Sequence, residues 1–521
     1  MACIRVACRV NAGPGCFVPA FGADRALSNR GRHPGAPRGL ASPSGGELRA
    51  QVGGVVMGVV VVIGVVVVMV MGVVGQTTAV SFDVARVRSQ FPALASGVAF
   101  FDGPGGSQVP RQVAEAVAET MCAGLANRGS VTAAERRADA VVVTARQAMA
   151  DLLGCSPDGV VFGRSMTQLT YDLARTMAKQ WGPGDEVVVT RLDHDANIRP
   201  WVDAARAVGA TVRWADPDRE SGELPVAAVT AVLSARTRLV AVTAASNLLG
   251  TRPDVPTIAA AAHEAGALVH VDGVHLTPHA PVDVAALGAD AYACSPYKFF
   301  GPHLGVTAAA PSLLETLHPD KLLPSADSVP ERFELGTLPY ELLAGTSAAV
   351  EFIADLAAHQ GPRRDRVVAS MAAAAAHEER LLGRLLDGLA TLDGVTVHGA
   401  PVRRTPTVLF SVAGRSPREV HEELARCGVN APAGSFYALE AARWMGLGDQ
   451  GAVRAGLAPY TDTDDVDRLL AGVAHLRRAR RARRARRARR AEPELLGGGS
   501  ATGDGVQLLD PGDQLVVQRR P

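Results

Sequence analysis

The sequence predicts an α/β protein with a mostly parallel, buried sheet covered by helices and a smaller α+β domain behind it. Short β-branched runs carry the first half of this reading: "GVVFG" (159–163), "DEVVVT" (185–190), "TRLVAVTAAS" (237–246) and "ALVHVDG" (267–273), separated by Ala-rich stretches of helical length. Unusual polar residues stand just after these strands, where open sheets of this kind hold their ligands. The second half rests on "VTVHGA" (395–400), "PTVLFSVAG" (406–414) and the helical pattern "REVHEELARCG" (418–428). The boundary is expected between Tyr340 and Gly345, giving a large domain over 81–345 and a small one over 346–476.

A chain of 521 residues exceeds what one core sustains, so at least two domains are expected. With 53 Lys and Arg against 52 Asp and Glu, the formal net charge of +1 gives no general affinity for nucleic acid or acidic membranes. Neither is expected as a partner. The seven cysteines are odd in number and lack metal-ligand spacing in the globular part, which fits free thiols in a reducing cytoplasm and no metal site. Residues 1–80 differ from the rest. They contain a Val- and Gly-only-like run, "VGGVVMGVVVVIGVVVVMVMGVVG" (52–75), long enough to span a bilayer but low in complexity. An anchor and a misassigned start, with Met71 as the true one, both remain open. "RRARRARRARRARRA" (477–491) reads as a solvated helix or disordered tail extending to 521, with no catalytic role.

Only three lysines occur, Lys179, Lys298 and Lys321, and Lys298 sits in "ACSPYKFFGPHLG" between a serine and a glycine-rich turn. Lysine condenses with a carbonyl to give a Schiff base, and a cofactor aldehyde held that way also needs a partner for its ring nitrogen and a cradle for its phosphate. Asp272 ends the strand "ALVHVDG", where it either serves a pyridine nitrogen or caps the next segment. Ser165, Met166 and Thr167 follow a strand and open a helix, a setting that suits an anion as well as an ordinary N-cap. Ser295, three residues before Lys298, adds a hydroxyl. His194 in "RLDHDANIRPW" is either a flat ring to stack on another or a satisfied loop residue.

The order and wording of "FDGPGGSQVP", "DHDANIRPW", "SNLLGT", "VHVDGVH", "SPYKFFGP", "RFELGT" and "VRAGLAPYT" resemble the class V aminotransferases, in particular their cysteine desulfurase-like branch, over about Ser81 to Leu470. The resemblance implies fold-type I, with a seven-stranded sheet in the large domain and the N-terminal segment contributing to the small one. It implies pyridoxal 5'-phosphate as cofactor, Lys298 as the Schiff-base lysine, Asp272 on the pyridine nitrogen and His194 stacked over the ring. It further implies Asn247 and His275 near the ring hydroxyl, and Thr167, with Met166 beside it, Ser295 and Tyr297 at the phosphate. Thr337 would reach the phosphate of a neighbouring subunit in a homodimer with shared sites, and Arg454 would bind the substrate's α-carboxylate.

Three departures from that branch are visible. His275 stands for its usual glutamine and Tyr297 for its usual histidine. The stretch matching its cysteine-bearing loop, "GVNAPAGSFYALEAARW" (428–444), has no cysteine. Cys427 lies just before that loop and is expected to be a buried structural thiol. The function expected is a pyridoxal phosphate-dependent transferase or lyase acting on an amino acid. The alternatives are a desulfurase or lyase working without a protein persulfide, and an inactive scaffold of the same fold tethered by the Val-rich run.

Overall fold

The computed structural model describes residues 82–490 and, ahead of them, four short strands between Gln51 and Met69; side chains are described from 82 to 476. The leading strands belong to a unit of their own, Met1–Thr77, in which Gln51–Val52 pairs antiparallel with Val55–Val56 and Gly58–Val62 with Val65–Met69. The described part of the candidate anchor is thus strand, and the rest of it lies outside the described residues. No helix among the described residues is long and apolar enough to cross a membrane.

The second unit, Thr78–Pro521, carries two sheets. The larger has seven strands: β1 (Val160–Gly163), β2 (Glu186–Thr190), β3 (Thr211–Ala215), β4 (Thr237–Thr243), β5 (Leu268–Asp272), β6 (Ala291–Cys294) and β7 (Gly305–Ala309). Their order across the sheet is β1-β7-β6-β5-β4-β2-β3, and β7 alone runs antiparallel to its neighbours. The buried run of Val and Ala along β2, β4, β5, β6 and β7 is what a sheet covered on both faces requires. Because the parallel strands point the same way, the polar residues that follow β2, β4, β5 and β6 emerge at one edge.

The smaller sheet consists of β8 (Val395–His398), β9 (Thr407–Val412), β10 (Ala433–Gly434) and β11 (Ala452–Gly456), antiparallel in the order β8-β9-β11-β10. Helices Arg363–Ala390, Pro417–Arg426 and Thr463–Arg490 cover it, with Leu385, Leu424 and Leu469 in a common core with Val408 and Phe410. The last of these helices runs on through the backbone of the arginine-rich stretch. The N-terminal segment joins this layer: Ala99–Phe100 pairs parallel with Val429–Asn430, and Asp102 bridges to Gly456. Helix Tyr340–Ala354 runs through the expected boundary at Gly345, packing against Arg111–Cys122 and Ala133–Leu153.

One tie joins the two sheets and a second braces the large one. The segment after β4 pairs with the one before β9, Thr405 N–H donating to the Gly250 carbonyl and Arg252 N–H to the Arg403 carbonyl, each at 2.9 Å. Gly250 adopts φ +81°, and a Cβ there would stand 2.9 Å from the Thr405 carbonyl oxygen, so the approach requires glycine. The second tie is Glu334 of "RFELGT", buried against Arg146 at 2.8 Å and accepting the Phe162 N–H of β1 at 2.9 Å.

Candidate active site

At the carboxyl edge of the large sheet, two adjoining cavities share Thr167, His194, Asn247, Tyr297 and Lys298. The inner one, about 460 Å³, is closed by Ser165, Met166, Thr243, Asp272, His275 and Ser295. The outer, about 970 Å³, is bounded by Pro104, Tyr171, Asp195, Arg199, Phe436, Tyr437 and Arg454. The lysine stands where they meet.

Asp272 is the last residue of β5, and the next position must be glycine because a Cβ on Gly273 would fall 1.8 Å from the Tyr292 ring. That sharp exit turns the Asp272 carboxylate into the inner cavity, where it accepts the Val274 N–H at 2.9 Å. Lys298 ends a 3-10 turn, Pro296–Lys298, that follows β6, and its Nζ donates to the Pro104 carbonyl at 2.7 Å. Burial raises the Asp272 carboxyl above its usual range, while Lys298 pulls it back. Burial, reinforced by Arg454, lowers the Lys298 amine, against the pull of Asp272. The neutral amine is thereby brought within reach of ordinary pH, as a nucleophile and proton acceptor requires.

His194 follows β2 by a short turn. Its Nδ1 accepts the Ala196 N–H at 3.0 Å, leaving Nε2 to carry the proton. Burial, with Lys298 and Arg454 nearby, pushes His194 down to about 3, so the ring is neutral and flat-faced at working pH. Behind it, buried Asp193 accepts Asn197 Nδ2 at 2.7 Å, while Asn197 Oδ1 accepts from Trp201 at 3.2 Å and His270 at 2.9 Å. His270 sits two residues before Asp272 on β5, and this chain of hydrogen bonds ties the two strand ends together.

Helix Met166–Ala178 opens directly off β1, with Ser165 as N-cap accepting the Gln168 N–H at 3.1 Å. Its first turn sits against β7, where a Cβ on Gly305 would overlap the Ser165 carbonyl. Thr167 is exposed at the mouth, Met166 and Ser295 are buried, and Tyr297 stacks on His303 at 4.8 Å. Buried amide and ring atoms in the inner cavity lack protein partners: Asn247 Oδ1 and His275 Nδ1. Asn247 Nδ2 donates to the Phe436 carbonyl at 2.8 Å, and His275 Nε2 lies 2.9 Å from Thr405 Oγ1 and 3.0 Å from Thr407 Oγ1. A helix N-terminus, a buried amine beside a carboxylate and two orphaned polar atoms fit the phosphate, aldehyde, ring nitrogen and ring hydroxyl of pyridoxal phosphate.

Arg454 projects from β11, buried, with Nη1 donating to the Asn247 carbonyl at 2.8 Å, its guanidinium 3.8 Å from the Phe436 ring centroid and Nε without a partner. Phe436 and Tyr437 have φ of +53° and +57°, a strained pair at the outer rim. Tyr437 accepts the Asp195 N–H at 2.7 Å through its carbonyl. Thr337 is not brought to either cavity of this chain; it lies exposed in the loop after Glu334. The expectation for Cys427 is corrected. It is exposed, because it caps the C-terminus of Pro417–Arg426 next to Gly428, and it lines neither cavity.

The aminotransferase class-V family model matches residues 99–469. The chain belongs to the class V aminotransferase family. It is 34% identical to the aminotransferase-like protein FGM3 of Gibberella zeae, over 75% of this chain and 98% of that protein. It is 30% identical to a cysteine desulfurase of Pectobacterium atrosepticum, over 76% and 99%. Among solved structures, the cysteine desulfurase CsdA of Escherichia coli aligns with a TM-score of 0.67 at 28% identity, covering 76% of this chain and 98% of that one. This family member is therefore a pyridoxal phosphate-dependent enzyme of the cysteine desulfurase-like kind.

Several residues of the site escaped sequence reasoning. Pro104, whose carbonyl holds Lys298, lay inside the quoted "FDGPGG", yet a backbone acceptor leaves no side-chain signal. Thr405 and Thr407, which fix His275, and the Asp193–Asn197–His270 chain are ordinary residues until the fold assembles them.

Proposed function

We propose that the enzyme acts on an amino acid whose α-carboxylate is held by Arg454 and whose Cα proton is moved by Lys298, with pyridoxal phosphate carried by Lys298 in the inner cavity. The observation that carries this reading is the buried Lys298 amine, beside Asp272 and at the junction of the two cavities. In this reading Asp272 holds the pyridine nitrogen, His194 lies on the ring, and Asn247 and His275 serve the ring hydroxyl. Ser165, Thr167, Ser295 and Tyr297 receive the phosphate, with Met166 packed beneath the first turn. Bound there, the cofactor supplies an electron sink for bonds breaking at the amino acid's Cα.

The protein's own part follows from the geometry. Arg454 offers a planar fork in a dry setting, pinned by the Asn247 carbonyl and the Phe436 ring, so a carboxylate is gripped in one orientation. That fixes the Cα over the junction where Lys298 sits. Neutral His194 shields this face from solvent without adding charge. Lys298, freed when the substrate's amine takes its place on the cofactor and poised by burial, would take the Cα proton and return it to the same or another atom.

No cysteine stands in 428–444, and Cys427 lines neither cavity, which supports a reaction without a protein persulfide. A desulfurase or lyase that releases sulfur directly remains the second reading, favoured by the desulfurase-like frame. Sulfide release from L-cysteine above a Lys298→Ala control supports it, and none removes it. A homodimer, with Thr337 of the partner subunit completing the phosphate site, accounts for the exposed position of that loop. Cytoplasmic residence fits the free thiols among the described cysteines. The test of the main reading is borohydride reduction in the presence of pyridoxal phosphate followed by peptide mapping. Label on Lys298 is the expected result, and label on Lys179 or Lys321 overturns it.

A further inference from the structure

A separate cavity of about 770 Å³ lies outside the reaction described above, between helix Arg363–Ala390 and the paired segments around Arg252 and Arg404. Three arginines line it, Arg252, Arg403 and Arg404, together with His279, Glu378 and Glu379. Glu378 is buried and already engaged, its two oxygens 3.2 and 3.1 Å from His279 Nδ1. Glu379 is exposed on the rim.

The arginines are the anomaly. In the large domain the buried guanidinium of Arg146 is paired with the Glu334 carboxylate. Here none of the three forms an ion pair among the described residues. Arg404 Nη2 donates to the carbonyls of Leu249 at 3.1 Å and Thr407 at 2.5 Å, and its Nε is buried with no acceptor. Arg403 reaches the Arg252 carbonyl at 3.4 Å, and the half-buried Arg252 side chain has no hydrogen-bond acceptor among the described residues. Three cations lining one concave space, two of them half-buried and with donors unspent, are what a negatively charged oxygen cluster needs.

We propose that this cavity is a binding site for a small oxyanion, a phosphate or carboxylate group, held by Arg252, Arg403 and Arg404. The fork of each guanidinium matches either group, and the volume leaves room for an organic body against Ala375 and Leu382. The site is wired to the cofactor. Thr405, next to Arg404, hydrogen-bonds His275 Nε2 at 2.9 Å, and the His275 ring stands 5.3 Å from that of His279. His275 Nδ1 is the orphaned atom of the inner cavity, so an occupant here is expected to shift the absorption band of bound pyridoxal phosphate.

The experiment is calorimetric titration of the cofactor-loaded full chain with inorganic phosphate and, separately, with succinate. Loading fills the phosphate cradle at Ser165, which would otherwise compete. At least one of the two anions is expected to bind here, phosphate at one site per chain and succinate at one site besides the carboxylate grip of Arg454. Arg252→Gln and Arg403→Gln are each expected to weaken this site about tenfold or more, whereas Arg454→Lys is expected to affect only succinate held in the outer cavity. Binding of phosphate alone identifies a phosphate-ester ligand, and of succinate alone a carboxylate one; either sustains the site. No heat from either anion overturns the proposal, as does binding that survives both Gln variants or is lost only in Arg454→Lys. Arg403 is exposed, so its variant tests the site without touching the core.

Discussion

The inner and outer cavities are built differently. The inner wall comes from the ends of β5 and β6 and the turn after β2, where Asp272, Lys298 and His194 inherit rigid positions from a sheet covered on both faces. The outer wall includes a loop of the smaller layer, Gly434–Tyr437, in which two aromatic residues take positive φ and one is 76% exposed. The difference separates a rigid cofactor wall from an adaptable substrate wall. The cofactor's chemistry is common to many reactions and sits on the strands; the choice among them lies at a rim that a few residues can rebuild.

Four predictions sharpen this contrast. Lys298→Ala is expected to lower turnover by about a thousandfold or more, measured as substrate loss with the cofactor still bound. Activity within tenfold of the parent would break the assignment of the inner wall. Arg454→Leu is expected to raise KM for the amino acid about a hundredfold, with cofactor affinity unchanged, since Arg454 belongs to the outer compartment. A parallel loss of cofactor would merge the two regions.

The pH dependence of cofactor capture comes next. Only the neutral amine attacks the aldehyde, and Lys298 titrates at about 8 because of burial. The capture rate is expected to climb about tenfold per pH unit below that point and level above it. A rate still climbing through pH 9.5 would mark an ordinary lysine. The smallest effect concerns the thiol that precedes the rim loop. Cys427→Ser is expected to leave turnover unchanged, and a strong loss with L-cysteine as substrate would point to a sulfur relay through that thiol.

Much of the inner wall was legible in the sequence because its residues occur in short, strongly patterned stretches. "ALVHVDG" and "DEVVVT" read as buried strands and became β5 and β2. β3, β6 and β7 were harder. "AYAC" and "GVTAA" are alanine-rich and lack β propensity of their own; they are strands because β5 and β1 offer them ladders to complete. Cys427 failed for a related reason. A residue that closes a helical pattern points toward or away from the core according to the chain's direction after the cap, and Gly428 at φ +71° turns it outward.

By itself the sequence determined the alternation of strands and helices, the family and hence the cofactor, and the lack of a cysteine in the loop, since these depend on residue type and local order. Only the tertiary structure decided that Lys298 meets the Pro104 carbonyl, that His275 is held by two threonines from across the sheets, and that three arginines line a common space with no ion pair of their own among the described residues. Those contacts join residues 130 to 194 positions apart, and long-range packing, which carries no local pattern, is what creates them.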